Sequence, residues 1–158
     1  MKTILLALTV LSCSSSLAFG DDLPKRELTP GSTRPGVTKD DVCAPGYTKT
    51  VRDVPSSVKA RVYEIYGLAG PRAGICSGPQ GCELDHLIPL DLGGSNDVNN
   101  LWPQSSDTKP WSSHAKDRLE NYLFKAVCDG RIALEEAQHE ISTDWIAAYR
   151  KYIGEPPQ

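Results

Sequence analysis

Apolar positions along the chain fall into blocks of different period, and each period predicts an element. Between Val54 and Tyr66, Val58, Val62 and Ile65 recur at helical spacing behind Pro55-Ser56-Ser57, and Gly67 follows, so a helix is predicted that stops there. Residues 68–82 are loop by composition. Glu83 to Leu92 reads as two short strand segments bent about Ile88-Pro89, because a proline breaks a continuous ladder. Gly93-Gly94 and the Ser, Asn and Asp residues beyond it form a surface loop that brings the chain back to Asn100, placing Asp85-His86 and Asn100 together on a β-hairpin. A helix begins near Ser112 or Ser113 with Leu119, Leu123, Phe124 and Val127 on one face. A last helix runs from about Leu134 to Tyr152, with Leu134, Ala137, Ile141, Trp145 and Tyr149 on one stripe.

The start of the chain has a different pattern. Met1-Lys2, an apolar run from Ile4 to Leu11 and the small residues ending at Ala18-Phe19-Gly20 read as a secretory signal over 1–20, too short to span a bilayer and cleaved near Gly20. A rival reading places a lipoprotein signal at Val10-Leu11-Ser12-Cys13, with Cys13 acylated. No other stretch is apolar for long enough to cross a membrane, so no stable membrane insertion is expected. Residues 21–42, rich in Pro, Gly, Thr and charge, read as a flexible or extended lead-in. A single domain then occupies 43–152, and 153–158 is a tail.

Export changes the reading of the cysteines. Without Cys13, an even set remains, Cys43, Cys76, Cys82 and Cys128, and three pairings are possible. The favoured pairing joins Cys76 to Cys82 across a short loop and Cys43 to Cys128 between the N-terminal region and a C-terminal helix. A zinc site is disfavoured, since it needs thiolates or histidines clustered at short spacing.

Candidate chemistry concentrates in residues 85–104, DHLIPLDLGGSNDVNNLWPQ. Asp85 offers a hard oxygen to a divalent cation, and His86 an imidazole that takes a proton near neutral pH, a combination suited to metal-assisted phosphodiester hydrolysis. Asn100 has no useful pKa, so its expected role is to accept a hydrogen bond from the imidazole and orient it. Net charge argues mildly the other way: 17 Lys and Arg face 20 Asp and Glu, for −3. Lys109, Lys116, Arg118, Lys125 and Arg131 all follow the motif, and form either a basic rim beside the cleft or a solvated helix face.

Asp85-His86, Pro89, Gly93-Gly94, Asn100-Leu101 and His114 resemble the HNH nucleases of the ββα-metal type. The flanking pieces, among them NLWPQ, AKDRLENYL and DWIAAYRKY, look like a group of small secreted bacterial HNH-type proteins, over roughly residues 29–152. The resemblance implies an α+β fold with an HNH/ββα-metal core, a short hairpin plus a helix, with further helices around it and disulfide stabilisation. It implies His86 as general base, Asn100 as its positioning residue, and Asp85 and His114 as ligands of one divalent metal. It therefore demands that the His114 and Asp85 side chains lie about 4–5 Å apart, as ligands sharing bonds of about 2 Å do.

The expectation is a secreted or periplasmic endonuclease cutting nucleic acid, DNA first, without sequence preference. Lys116 and Arg118 contact substrate, and Mg2+ or Mn2+ is the cofactor, with Zn2+ or Ni2+ also compatible with imidazole. The rival of another class is a catalytically silent HNH fold serving as an extracytoplasmic binding module, which the acidic balance favours. A hydrolase of another kind ranks a distant third, because there is no HExxH, no GxSxG and no Cys/His pair suited to an oxidised environment.

Overall fold

A computed structural model describes residues 23–69 and 81–156. The expected signal over 1–20 and Cys76 lie outside the described residues. Those described form a mixed α+β fold: three N-terminal helices, α1 (Lys39–Val42), α2 (Tyr47–Val51) and α3 (Ser56–Ile65), then a β-hairpin, then α4 (Ser113–Cys128) and α5 (Leu134–Tyr152).

The hairpin is a two-stranded antiparallel sheet of β1 (Cys82–His86) and β2 (Leu101–Ser105), with Asp85 opposite Trp102 and His86 opposite Leu101. One expectation fails here. Leu90–Leu92 is a turn of 3-10 helix instead of a second strand segment, because Pro89 ends the ladder; the returning strand starts only after Asn100. The connecting loop closes on itself at Gly94, where a Cβ would stand 1.8 Å from the Ile88 carbonyl oxygen, so no side chain fits.

Two apolar clusters flank the hairpin. Val62, Tyr66 and Leu68 from α3 and the loop after it pack with Leu87, Leu101 and Trp102. The larger cluster joins α4 and α5 to the 88–92 turn through Ile88, Leu92, Leu119, Leu123, Ile141 and Trp145. The predicted α5 stripe, Leu134, Ala137, Ile141, Trp145 and Tyr149, is buried along its length, and Trp111 stands edge-on to Trp145 and Tyr149 at 5.8 and 5.4 Å between ring centroids.

The lead-in is extended but not free. Thr29 is buried, its hydroxyl bonded to Tyr66 Oη at 2.8 Å and to the Leu101 carbonyl at 3.0 Å; Thr33 bridges Gly94, and Ser32 Oγ meets Ser95 Oγ at 2.6 Å. Its polar side chains satisfy the hairpin and its loop in place of water, so the folded unit begins well before residue 43. Thr38 and Asp41 then cap α1 reciprocally, and the chain reaches Cys43 at the end of that helix.

Cys43 is disulfide-bonded to Cys128 at the end of α4, with Cα atoms 5.7 Å apart. Cys82 is also disulfide-bonded, and the pairing with Cys76 lies outside the described residues. The Cys43–Cys128 bridge closes a loop across 85 residues of sequence separation. Chain-entropy arguments give such a closure roughly 4–5 kcal/mol. The Cys43→Ser/Cys128→Ser variant is expected to lose stability of that order in urea unfolding of the oxidised protein, and an unchanged midpoint would contradict it.

Candidate active site

Asp85 and His86 end β1 on the wall of an open cleft of about 630 Å3. The lining also draws on α2, α3 and the segment between them, with Arg52, Lys59 and Tyr63, on the 3-10 turn, with Asp91, and on α4, with Asp117 and Glu120.

His86 is part-buried, and its Nε2 is 2.9 Å from Asn96 Oδ1. Asn96 Nδ2 in turn donates to the carbonyls of Val51 (2.9 Å) and Asp53 (3.0 Å). Burial lowers the imidazole pKa from its ordinary value, opposed by the Asn96 bond and the nearby Asp85 charge.

Asn100 does something other than expected. It is fully buried; its Oδ1 accepts from the backbone N–H of Ile88 (3.0 Å) and Ser32 (3.3 Å), and its Nδ2 donates to the carbonyls of Ile88 and Ser95, both at 2.9 Å. Every polar site on that carboxamide is spent, three bonds closing the 88–95 loop and one holding Ser32 to it, so it does not orient His86. The residue against the imidazole is Asn96, which its Asn/Asp-rich surroundings mark only as loop-forming.

Lys116 is also misplaced by the sequence reading. It is fully buried, not a member of a basic rim, and its three N–H donors meet three oxygens: Asp85 Oδ2 at 2.8 Å, the His86 carbonyl at 2.6 Å, and Glu120 Oε1. Two carboxylates hold the ammonium charged against the cost of burial, and burial pushes the Glu120 carboxyl up. The signal was present: Lys116 shares the α4 stripe with Leu119 and Leu123, so its stem must enter the core. Arg118 is exposed and lies 5.7 Å from the Tyr149 ring centroid, on the α5 side and off the cleft wall. Among the described residues, the Lys and Arg side chains lining the cleft are Arg52 and Lys59.

His114 turns outward. Its side chain is 69% exposed and its Nδ1 stands 3.8 Å from Asp117 Oδ2. The structure therefore does not join it to Asp85, and among the described residues no group of three or more His, Cys, Asp or Glu converges as a ready metal shell. Asp117 lies in the cleft instead, its carboxyl pKa raised by burial and then by the charge of Asp85. Asp91 is pushed up to about 6 by burial, and its Oδ1 has no hydrogen-bond partner.

The donor set decides which cation suits the cleft. Among the described residues five carboxylates line it, Glu83, Asp85, Asp91, Asp117 and Glu120, all hard oxygens. Magnesium and manganese sites need only one or two protein carboxylates, the rest being water and substrate oxygen, and these residues fit that pattern. Zinc takes several converging protein ligands, and no such group of three or more is found among the described residues.

Comparison with known proteins finds no match: no family model, no curated protein and no solved structure. Among the described residues no helix is long and apolar enough to cross a membrane.

Replacing Lys116 by Met strands two part-buried carboxylates. The expected loss is about 3–5 kcal/mol in equilibrium unfolding, part of it recovered in Lys116→Met/Glu120→Gln. Wild-type stability in the single variant would mean that the ammonium is not the partner holding these groups.

Proposed function

We propose that this cleft hydrolyses phosphodiester bonds as a metal-dependent endonuclease of HNH type, secreted or periplasmic, acting on nucleic acid and on DNA first. The observation that carries the reading is the part-buried His86 imidazole beside Asp85 on a cleft with five carboxylates on its walls. Burial lowers the imidazole pKa, so at neutral pH the ring is free to accept a proton. An anionic substrate meets repulsion in so acidic a cleft unless a cation accompanies it.

His86 takes the proton from the attacking water. Asp85 and Asp117 would hold Mg2+ or Mn2+, which when bound neutralises charge on the scissile phosphate and on the leaving oxygen. Arg52 and Lys59 bind phosphates to either side of the cleavage point, contacts that position the strand without reading its sequence. Lys116 keeps Asp85 in place from behind.

The silent binding module is the second reading. Its support is the outward His114 together with the Lys116 ammonium already bonded to Asp85 Oδ2.

Plasmid and RNA degradation separates the two, measured at low salt with Mg2+, Mn2+, Zn2+ or EDTA beside His86→Ala. The nuclease reading expects cleavage with Mg2+ or Mn2+, none in EDTA, and a loss of at least about 100-fold in His86→Ala with the thermal unfolding curve kept. Absence of cleavage by folded, oxidised wild-type protein in every metal would hand the protein to the binding-module reading.

A further inference from the structure

Asn96 lies ten residues after His86, in the loop between the strands, and its side chain is the hydrogen-bond partner of the imidazole. Its carboxamide has one possible orientation. Two backbone carbonyls, of Val51 and Asp53, face one end at 2.9 and 3.0 Å, and only the NH2 group can donate to both. The other end, facing His86 Nε2, is therefore the oxygen, an acceptor. A neutral imidazole facing an acceptor must place its proton on that nitrogen, which leaves Nδ1 as the basic one. Among the described residues no hydrogen bond engages Nδ1.

We propose that Asn96 is the positioning residue of His86, fixing it as the Nε2–H tautomer and presenting Nδ1 as the base. This rests on the nuclease reading for its catalytic consequence, but the tautomer itself does not. Asn96 also hangs the imidazole from the 51–53 segment, which carries Arg52 on the cleft wall, so the base and a phosphate-binding cation share one support. Val51 is held from its other side too, its carbonyl accepting from Arg34 Nη2 at 2.9 Å. The arrangement is the familiar one in which a hydrogen bond to one ring nitrogen decides what the other does, with a carboxamide supplying the bond.

The test is imidazole nitrogen-15 NMR of the full oxidised chain at a pH where the ring is neutral, with the His86 signals assigned against His86→Gln. Wild type is expected to show a protonated Nε2 and an unprotonated Nδ1. Asn96→Leu, close in size and unable to accept, is expected to give the mixed-tautomer signature of a free imidazole and a kcat lower by about 10–100-fold, with KM within about twofold. Asn96→Asp separates positioning from mere support. It keeps the acceptor but loses both donors to Val51 and Asp53, so a supporting role predicts damage equal to Asn96→Leu, whereas positioning predicts a retained Nε2–H and a higher kcat than Asn96→Leu. A wild-type ring protonated on Nδ1, or Asn96→Leu with the wild-type tautomer, overturns the proposal. A protein that shows the expected tautomers but cleaves nothing keeps this assignment and loses the nuclease reading, so the two failures are distinct.

Discussion

One buried ammonium underlies the geometry of the cleft. Lys116 Nζ sits where α4 crosses the end of β1, and it spends each of its three protons on a different oxygen, from Asp85, from the His86 backbone and from Glu120. An unpaired charge at that depth costs several kcal/mol, so the helix and the strand are held in one mutual position by the need to keep the two bonds that cross from α4 to β1, to Asp85 and to the His86 carbonyl. Asp85 is thereby aimed: one oxygen is committed to the interior, while the residue remains on the cleft wall at 23% side-chain exposure. The His86 backbone is fixed by the same ammonium, through its carbonyl.

The loop between the strands is held by a second device, two asparagines with different tasks. Asn100 is wholly consumed in closing the loop on Ile88 and Ser95 and in holding Ser32 against it. Asn96 reaches the other way, to the imidazole and the 51–53 segment. The order of the pair is not arbitrary: the residue nearest the returning strand is buried and does structural work, and the residue at the middle of the loop can face the cleft.

Periodicity and punctuation made much of the fold legible. The α3 and α5 helices, the start of α4 at Ser113 and the hairpin follow from signals within a few turns of chain, whereas cysteine parity leaves three pairings open, of which the favoured one contains the observed Cys43–Cys128 bond. The cleft was legible only in part. Asp85 and His86 were found because they are adjacent and chemically distinctive. Spacing along a loop does not say which carboxamide, that of Asn96 or of Asn100, turns toward the ring. Lys116 was placed outside because charge counts ignore helical phase, although its position on the Leu119–Leu123 stripe requires burial. Arg52 and Lys59 were missed because their part in the cleft depends on how the N-terminal helices dock against the hairpin, a tertiary fact with no local signature. The lead-in looked flexible for the same reason: its Thr and Ser hydroxyls find partners only once the hairpin exists.

The central claim is that the acidic cleft receives a hard divalent cation at Asp85 together with a phosphodiester. Its most direct test is a crystal structure of the oxidised protein with Mn2+ and a short oligonucleotide, using anomalous scattering to locate the metal and His86→Ala to prevent turnover. The account predicts an anomalous peak bonded to Asp85, and a backbone phosphate beside it that also touches Arg52 or Lys59. Manganese bound elsewhere on the surface, or nucleic acid lying away from Asp85, would contradict it.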